Sequence, residues 1–153
     1  MARELIDRGS QVPDSYEELL KLPGIGPYAA SAYLSLHRNQ RAVLIDANIV
    51  RWLCRLLGRA MDGETRREAW VSHLASRLTP PIGFRDYNYA ALDFTMKVCA
   101  QTAHCEICPL IPFCRTGHRW FKRSRHSSSV SNGSGSAERK HAPEAGQTGA
   151  AGG

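Results

Sequence analysis

No apolar run in this 153-residue chain approaches the ~18 residues that a membrane-spanning helix needs. Mean hydropathy is −0.35, and a helical membrane protein is excluded. The opening Met-Ala-Arg-Glu-Leu-Ile-Asp-Arg lacks the apolar stretch of a signal peptide, so the chain is expected in the cytoplasm. Neither a collagen-like period nor any internal repeat is present. Lysine is scarce, with only Lys21, Lys97, Lys122 and Lys140. Five cysteines without an export signal argue against a secreted disulfide scaffold and for metal ligation in a reducing compartment.

The formal net charge is +6, with 20 Lys and Arg against 14 acids. Its distribution says more than its sum. Residues 115–153 hold seven of the basic residues and only Glu138 and Glu144, so most of the excess lies at the end of the chain. Within the body, residues 19–61 carry six basic residues and a single acid, Asp46. A basic segment of that kind suits a polyanion such as nucleic acid.

The body reads as helices separated by clear punctuation, and the class is all-α. Ser15-Tyr16-Glu17-Glu18 is a capping box opening a short helix that Pro23-Gly24 ends. Pro27 suits the first turn of a second helix, over about Tyr28 to His37. Val43-Leu44-Ile45 is a brief extended segment. Asp46 precedes a helix with Ile49, Leu53, Leu56 and Leu57 on one stripe, stopped by Gly58. Cys54, among these leucines, reads as a small buried hydrophobe. Glu64 to Leu78 is a fourth helix ended by Thr79-Pro80-Pro81, and Asp86 to Val98 a fifth. Residues 1–98 thus form a helical domain and 99–116 a cysteine loop. From about Gly117 there is little to bury, which predicts a disordered, basic, Ser/Gly-rich tail over 117–153.

Leu22-Pro23-Gly24-Ile25-Gly26 joins the first two helices as a tight hairpin. Two glycines let backbone amides approach an anion with no Cβ in the way, and the next helix adds its positive dipole end. Such a turn can hold a DNA phosphate without reading sequence; it can also be a plain connection between helices. Asp46 fits an ordinary N-cap as well as a catalytic carboxylate, and one geometry can serve both. Arg51 and Arg55, one turn apart after Asp46, are candidate DNA-backbone contacts or solvated surface arginines.

Cys99-x5-Cys105-x2-Cys108-x5-Cys114 places four thiolates within sixteen residues. A single Cys-x2-Cys flanked by two outlying cysteines, with Pro109 after the third, fits a [4Fe–4S] cluster better than zinc, whose sites usually pair two close ligand doublets. His104 and His118 are further ligands that a zinc site could recruit.

Leu22 to Tyr28, followed by Asp46 in Val-Leu-Ile-Asp-Ala-Asn-Ile-Val-Arg and by the cysteines after Ala-Ala-Leu-Asp-Phe, resembles the helix-hairpin-helix-Gly/Pro-Asp DNA glycosylases. The cysteines are similar to those of the iron–sulfur branch, which includes endonuclease III, adenine glycosylase and thymine mismatch glycosylase. The likeness runs from about Ser15 to Cys114. It implies that Asp46 is the essential carboxylate, stabilising positive charge on the sugar or orienting water. It also implies that double-stranded DNA with a mismatched or damaged base is the partner, and that the protein acts as a monomer, on the nucleoid if the source is bacterial.

Relatives that cut the strand carry a lysine where this chain has Tyr28, to form a Schiff base with the sugar. No lysine lies between the hairpin and Asp46, so hydrolysis without lyase activity is expected. Tyr28 would pack beside the extruded nucleotide or simply on its neighbours.

Against the family pattern, the first two cysteines are one residue closer, and Ala100-Gln101-Thr102-Ala103-His104 lacks the cation that relatives present to a phosphate. The family's helical segment upstream of the hairpin is expected to be missing, as is the C-terminal domain with which many adenine glycosylases read oxidised guanine. That, with Ala47-Asn48 after the aspartate, favours thymine or uracil excision over adenine opposite guanine or 8-oxoguanine. A non-catalytic DNA-binding remnant and a small zinc module are the rival classes.

Overall fold

The computed structural model describes residues 6, 9 and 11–130. All regular structure among the described residues is helical, and no helix among them is long and apolar enough to cross a membrane.

Helix α1 is Tyr16–Leu20, and Ser15 caps it as the sequence requires: Glu18 N–H donates to Ser15 Oγ at 3.2 Å. Helix α2 is Pro27–Ala32, and it runs into a π turn over Tyr33–His37 that its sequence pattern does not announce. The wider turn is closed by Arg38 N–H on Tyr33 O and Gln40 N–H on Leu34 O. It turns Ser35 inward, where the buried Asn88 amide donates to Ser35 Oγ at 2.7 Å and to Ala42 O at 3.0 Å.

Helix α3, Ala47–Leu57, is the axis of the molecule. Ile49, Val50, Trp52, Leu53 and Cys54 are buried and join Val71, Ala75 and Ala91 in the main core. Leu19, Leu22, Ala30 and Leu34 form a smaller cluster under the hairpin. Leu53 has no exposed surface, so Leu53→Ala is expected to cost about 2–5 kcal/mol, measured by urea unfolding.

The single helix expected over Glu64 to Leu78 is divided into a 3-10 turn, Thr65–Arg67, and helix α4, Ala69–Leu78. The cause is local. Asp62 Oδ1 accepts from the Glu64 and Thr65 amides and from Thr65 Oγ1, an Asx turn that holds the chain away from α-helical geometry. Helix α5, Phe84–Lys97, leads into the cysteine loop.

The disordered tail expected from residue 117 is corrected by helix α6, Arg115–Val130. Three contacts explain its formation despite a polar sequence. Gly117 N–H donates to Cys114 Sγ at 3.3 Å, satisfying an amide of the first turn. Gly117 is buried against Ile111 and Cys114, which a Cβ there would meet at 3.4 Å. At the other contact Gly58, at φ +67°, ends α3, and a Cβ there would stand 2.5 Å from Arg119 Nη2. The remainder of the expected tail, 131–153, lies outside the described residues.

Candidate nucleic-acid and metal site

The hairpin is anchored by its apolar residues and presents its glycines. Leu22 is buried, Ile25 packs on the same cluster, and Pro23, Gly24 and Gly26 are exposed. Ile25 N–H donates to Leu22 O at 3.1 Å. Pro-Gly at the central positions and φ +83° at Gly24 make this a type II turn, which requires glycine there. Gly26 is different. Its φ of −97° is open to any residue, and a Cβ would meet nothing within 4 Å. Neither backbone nor packing demands glycine at 26, so the open space is available to a ligand approaching the turn. No side chain caps the start of α2.

Asp46 sits at the N-cap of α3. Its Oδ1 accepts from Ile49 N–H at 2.7 Å, and its Oδ2 accepts from Asn48 Nδ2 at 3.0 Å. Asn48 Oδ1 in turn accepts from Arg51 Nη1 at 2.8 Å, and Arg51 Nη2 donates to Thr95 O and Cys99 O. A continuous set of hydrogen bonds therefore fixes the carboxylate's rotamer and joins it to the start of the cysteine loop. Tyr28 stands close enough to feel the carboxylate: burial, then the Asp46 charge, pushes its phenol above the ordinary tyrosine value. The hydroxyl stays protonated through neutral pH and is available as a donor.

Tyr28 also lines an open cavity of about 430 Å³ with Gly26, Pro27, Ile45, Arg66 and Arg67. Sequence reasoning missed the two arginines by placing them inside a long helix. The Asp62-Gly63 pair, a turn signal, was the available clue. Arg67 pairs with Glu64, one turn back.

Arg51 and Arg55 do not extend outward as their spacing suggested. Both guanidinium groups turn to the loop that follows α5. Arg55 Nη1 donates to Ala100 O at 2.5 Å and Cys99 O at 3.2 Å, while its Nη2 donates to Gln101 O at 2.7 Å. The expected backbone contacts are thereby corrected to braces, because carbonyls left open at a helix end are strong acceptors for a fork of N–H donors.

All four loop cysteines line one cavity, which Trp52 and Arg55 also line. Among the described residues, no three His, Cys, Asp or Glu side chains form a group that could hold a single metal ion. His104 Nδ1 instead faces Glu106 Oε1 at 3.2 Å, and His118 Nε2 faces Pro112 O at 2.9 Å. Burial first, and then the neighbouring sulfurs of Cys108, Cys114 and Cys99, push the Cys105 thiol up, with Arg55 pulling the other way. Four thiolates this close need a cationic group among them to coexist. Trp52 buries its indole N–H without an acceptor, which costs about 1–3 kcal/mol unless one is supplied. An iron–sulfur core would supply the positive charge among the four thiolates, so this donor set fits a [4Fe–4S] group. Cys54 is apart from these four, 2% exposed in the main core.

The fold and site define a helical domain that presents a glycine hairpin beside a capped, oriented carboxylate. The helix-hairpin-helix motif model matches residues 8–34. The chain is 33% identical over 116 residues to the thymine/uracil-DNA glycosylase of Methanothermobacter thermautotrophicus, covering 74% of this chain and 52% of that one. It is 36% identical to the adenine DNA glycosylase of Rattus norvegicus, covering 77% and 24%. A solved structure of a thermostable thymine-DNA glycosylase superposes with a TM-score of 0.70 at 32% identity, over 77% of this chain and 55% of that one. A trapped endonuclease III–DNA covalent intermediate gives 0.63 at 27%, over 78% and 55%.

The chain belongs to the helix-hairpin-helix DNA glycosylase superfamily, of whose fold it carries a part. It spans about half the length of that thymine/uracil relative.

Proposed function

We propose that this protein is a monofunctional DNA glycosylase of base-excision repair, hydrolysing the N-glycosidic bond of thymine or uracil mispaired with guanine. The observation that carries the reading is the Asp46 carboxylate, held from two sides and placed beside Tyr28. Departure of the base builds positive charge on the sugar, and a carboxylate whose rotamer is already fixed stabilises that charge without reorganising. Its oxygens also accept protons, so one of them can orient the attacking water.

Tyr28 is exposed enough to meet an extruded nucleotide, and its neutral phenol offers a flat face and a donor. It cannot form an imine, which supports hydrolysis alone. Gly24 and Gly26 hold a backbone phosphate at the hairpin, and Gly26 shares its cavity with Arg66 and Arg67. Cys99, Cys105, Cys108 and Cys114 hold a [4Fe–4S] cluster, which when bound cross-links the two ends of the loop and offsets thiolate charge.

Product analysis tests the reaction type. The chain acting on a duplex with one G·U or G·T pair is expected to leave an intact strand that alkali then breaks at the abasic site. Borohydride is expected to trap no protein–DNA adduct. Strand breakage before alkali, with a trapped adduct, would overturn the monofunctional assignment.

Gly26→Ala separates binding from folding. Reduced freedom of the unfolded chain is worth about 0.4–1 kcal/mol, and the poorer N-cap removes a similar amount. Thermal unfolding is therefore expected to shift little, while a methyl in the phosphate's approach weakens duplex binding severalfold in an anisotropy titration.

A further inference from the structure

We propose that the concavity between the end of α3 and the outer side of α6 is a second site for the phosphodiester backbone of DNA, formed by Arg59, Arg119 and Arg123 with Trp120 on its wall. The proposal rests on the DNA-directed reading above and adds a surface to it.

This cavity, about 670 Å³, has Arg55, Arg59, Arg119 and Arg123 in its lining and no carboxylate. Helix α6 itself contains no Asp or Glu from residue 115 to residue 130. Three of the arginines are placed by packing or main-chain contacts. Arg59 lies 4.7 Å over the Trp70 ring. Arg119 Nη2 donates to Gly58 O at 3.3 Å, at the point where the absence of a Cβ on Gly58 admits the guanidinium. Arg55 is fixed on the loop carbonyls. Four guanidinium groups in a lining whose acidic group is the Cys105 thiol alone leave positive charge in excess, and an entering anion offsets it.

Spacing points to a chain of phosphates in place of a single one. Arg115, Arg119 and Arg123 recur every four residues, so each step advances about 6 Å along the helix. That is close to two rises of about 3.4 Å per phosphate measured along the duplex axis, for a helix lying along that axis. Trp120, 36% exposed on the same wall, offers an aromatic face to sugar or base. Composition alone makes this region a flexible basic tail; its helical form aligns the arginines into one surface.

The test is anisotropy with a labelled, fully paired duplex over a range of salt, using the whole chain. For the double variant Arg59→Ala/Arg123→Ala, the slope of log K against log salt is expected to fall by about 1–2, at about 0.9 for each phosphate no longer neutralised. Affinity at low salt is expected to fall roughly tenfold. Arg123→Lys keeps the charge and is expected to keep the slope, and circular dichroism confirms that both variants retain parent helicity. If the double variant binds with the parent's slope and affinity while Gly26→Ala is weakened, the α6 surface is wrong and the hairpin reading stands. If the unaltered chain does not bind duplex at all, both fall. Loss of binding to anionic lipid vesicles or inorganic polyphosphate, with duplex binding intact, also overturns the proposal.

Discussion

Asp46→Asn is expected to lower single-turnover base release by about 10²–10⁴-fold, the range for losing a positioned acid–base or electrostatic group. It is also expected to leave thermal unfolding almost unchanged. The pairing of those two results is the informative part. Asparagine is as good an N-cap as aspartate, so its side-chain oxygen can still accept from the Ile49 amide, as Asp46 Oδ1 does at 2.7 Å. The variant removes the negative charge and the acceptor for Asn48 Nδ2, and it keeps the cap. Were Asp46 no more than a cap, Asn would be silent in both assays. Were it only catalytic, Asp46→Ala would share the activity loss and keep stability. The N-cap geometry instead predicts that Ala also costs about 0.5–2 kcal/mol.

Cys108→Ser is expected to have the second largest effect. The unaltered chain, purified anaerobically, should be brown and contain iron and acid-labile sulfide in equal amounts. The serine variant should lose most of both. The loss should extend beyond the loop, because Cys114 Sγ accepts from Gly117 N–H at the start of α6 and Arg55 fastens the other end to α3. Hydrogen exchange is therefore expected to rise over Cys99 to Cys114 and along the first turns of α6, while α1 and α2 stay protected by their separate cluster. A colourless chain containing one zinc would contradict the iron assignment and return His104 and His118 to consideration.

Features set by neighbouring residues were legible in the sequence. Ser15 and Glu18 announce the start of α1, Asp46 caps α3, and Gly58 ends it in the left-handed conformation. The cysteine spacing marks the loop whose sulfurs line one cavity. What was not legible depends on distant partners. Nothing between Tyr33 and His37 calls for a π turn; it is accommodated by a buried Asn88–Ser35 contact that spans 53 residues. Arg51 and Arg55 have the surface spacing of DNA contacts, yet carbonyls 44 to 48 residues away turn them inward. The polar stretch after Cys114 lacks the apolar stripe that signals a helix, and it is held by a thiol cap and a glycine contact on α3.

The placement of Arg66 and Arg67 follows the same logic at shorter range. The Asx turn at Asp62 delays the helix by one turn and leaves both arginines beside Tyr28. A carboxylate, a neutral phenol and two guanidinium groups thus border the hairpin, drawn from three separate stretches of chain.

Quantifying free base is the most direct test of the central claim. The cluster-loaded chain, in excess over duplexes carrying G·U, G·T or A·8-oxoguanine, is expected to release uracil and thymine and to leave adenine in place. Asp46→Asn under the same conditions should release neither. Equal, background-level release from all three duplexes by the unaltered chain would contradict the account, and would make this protein a binder of DNA that does not cut the glycosidic bond.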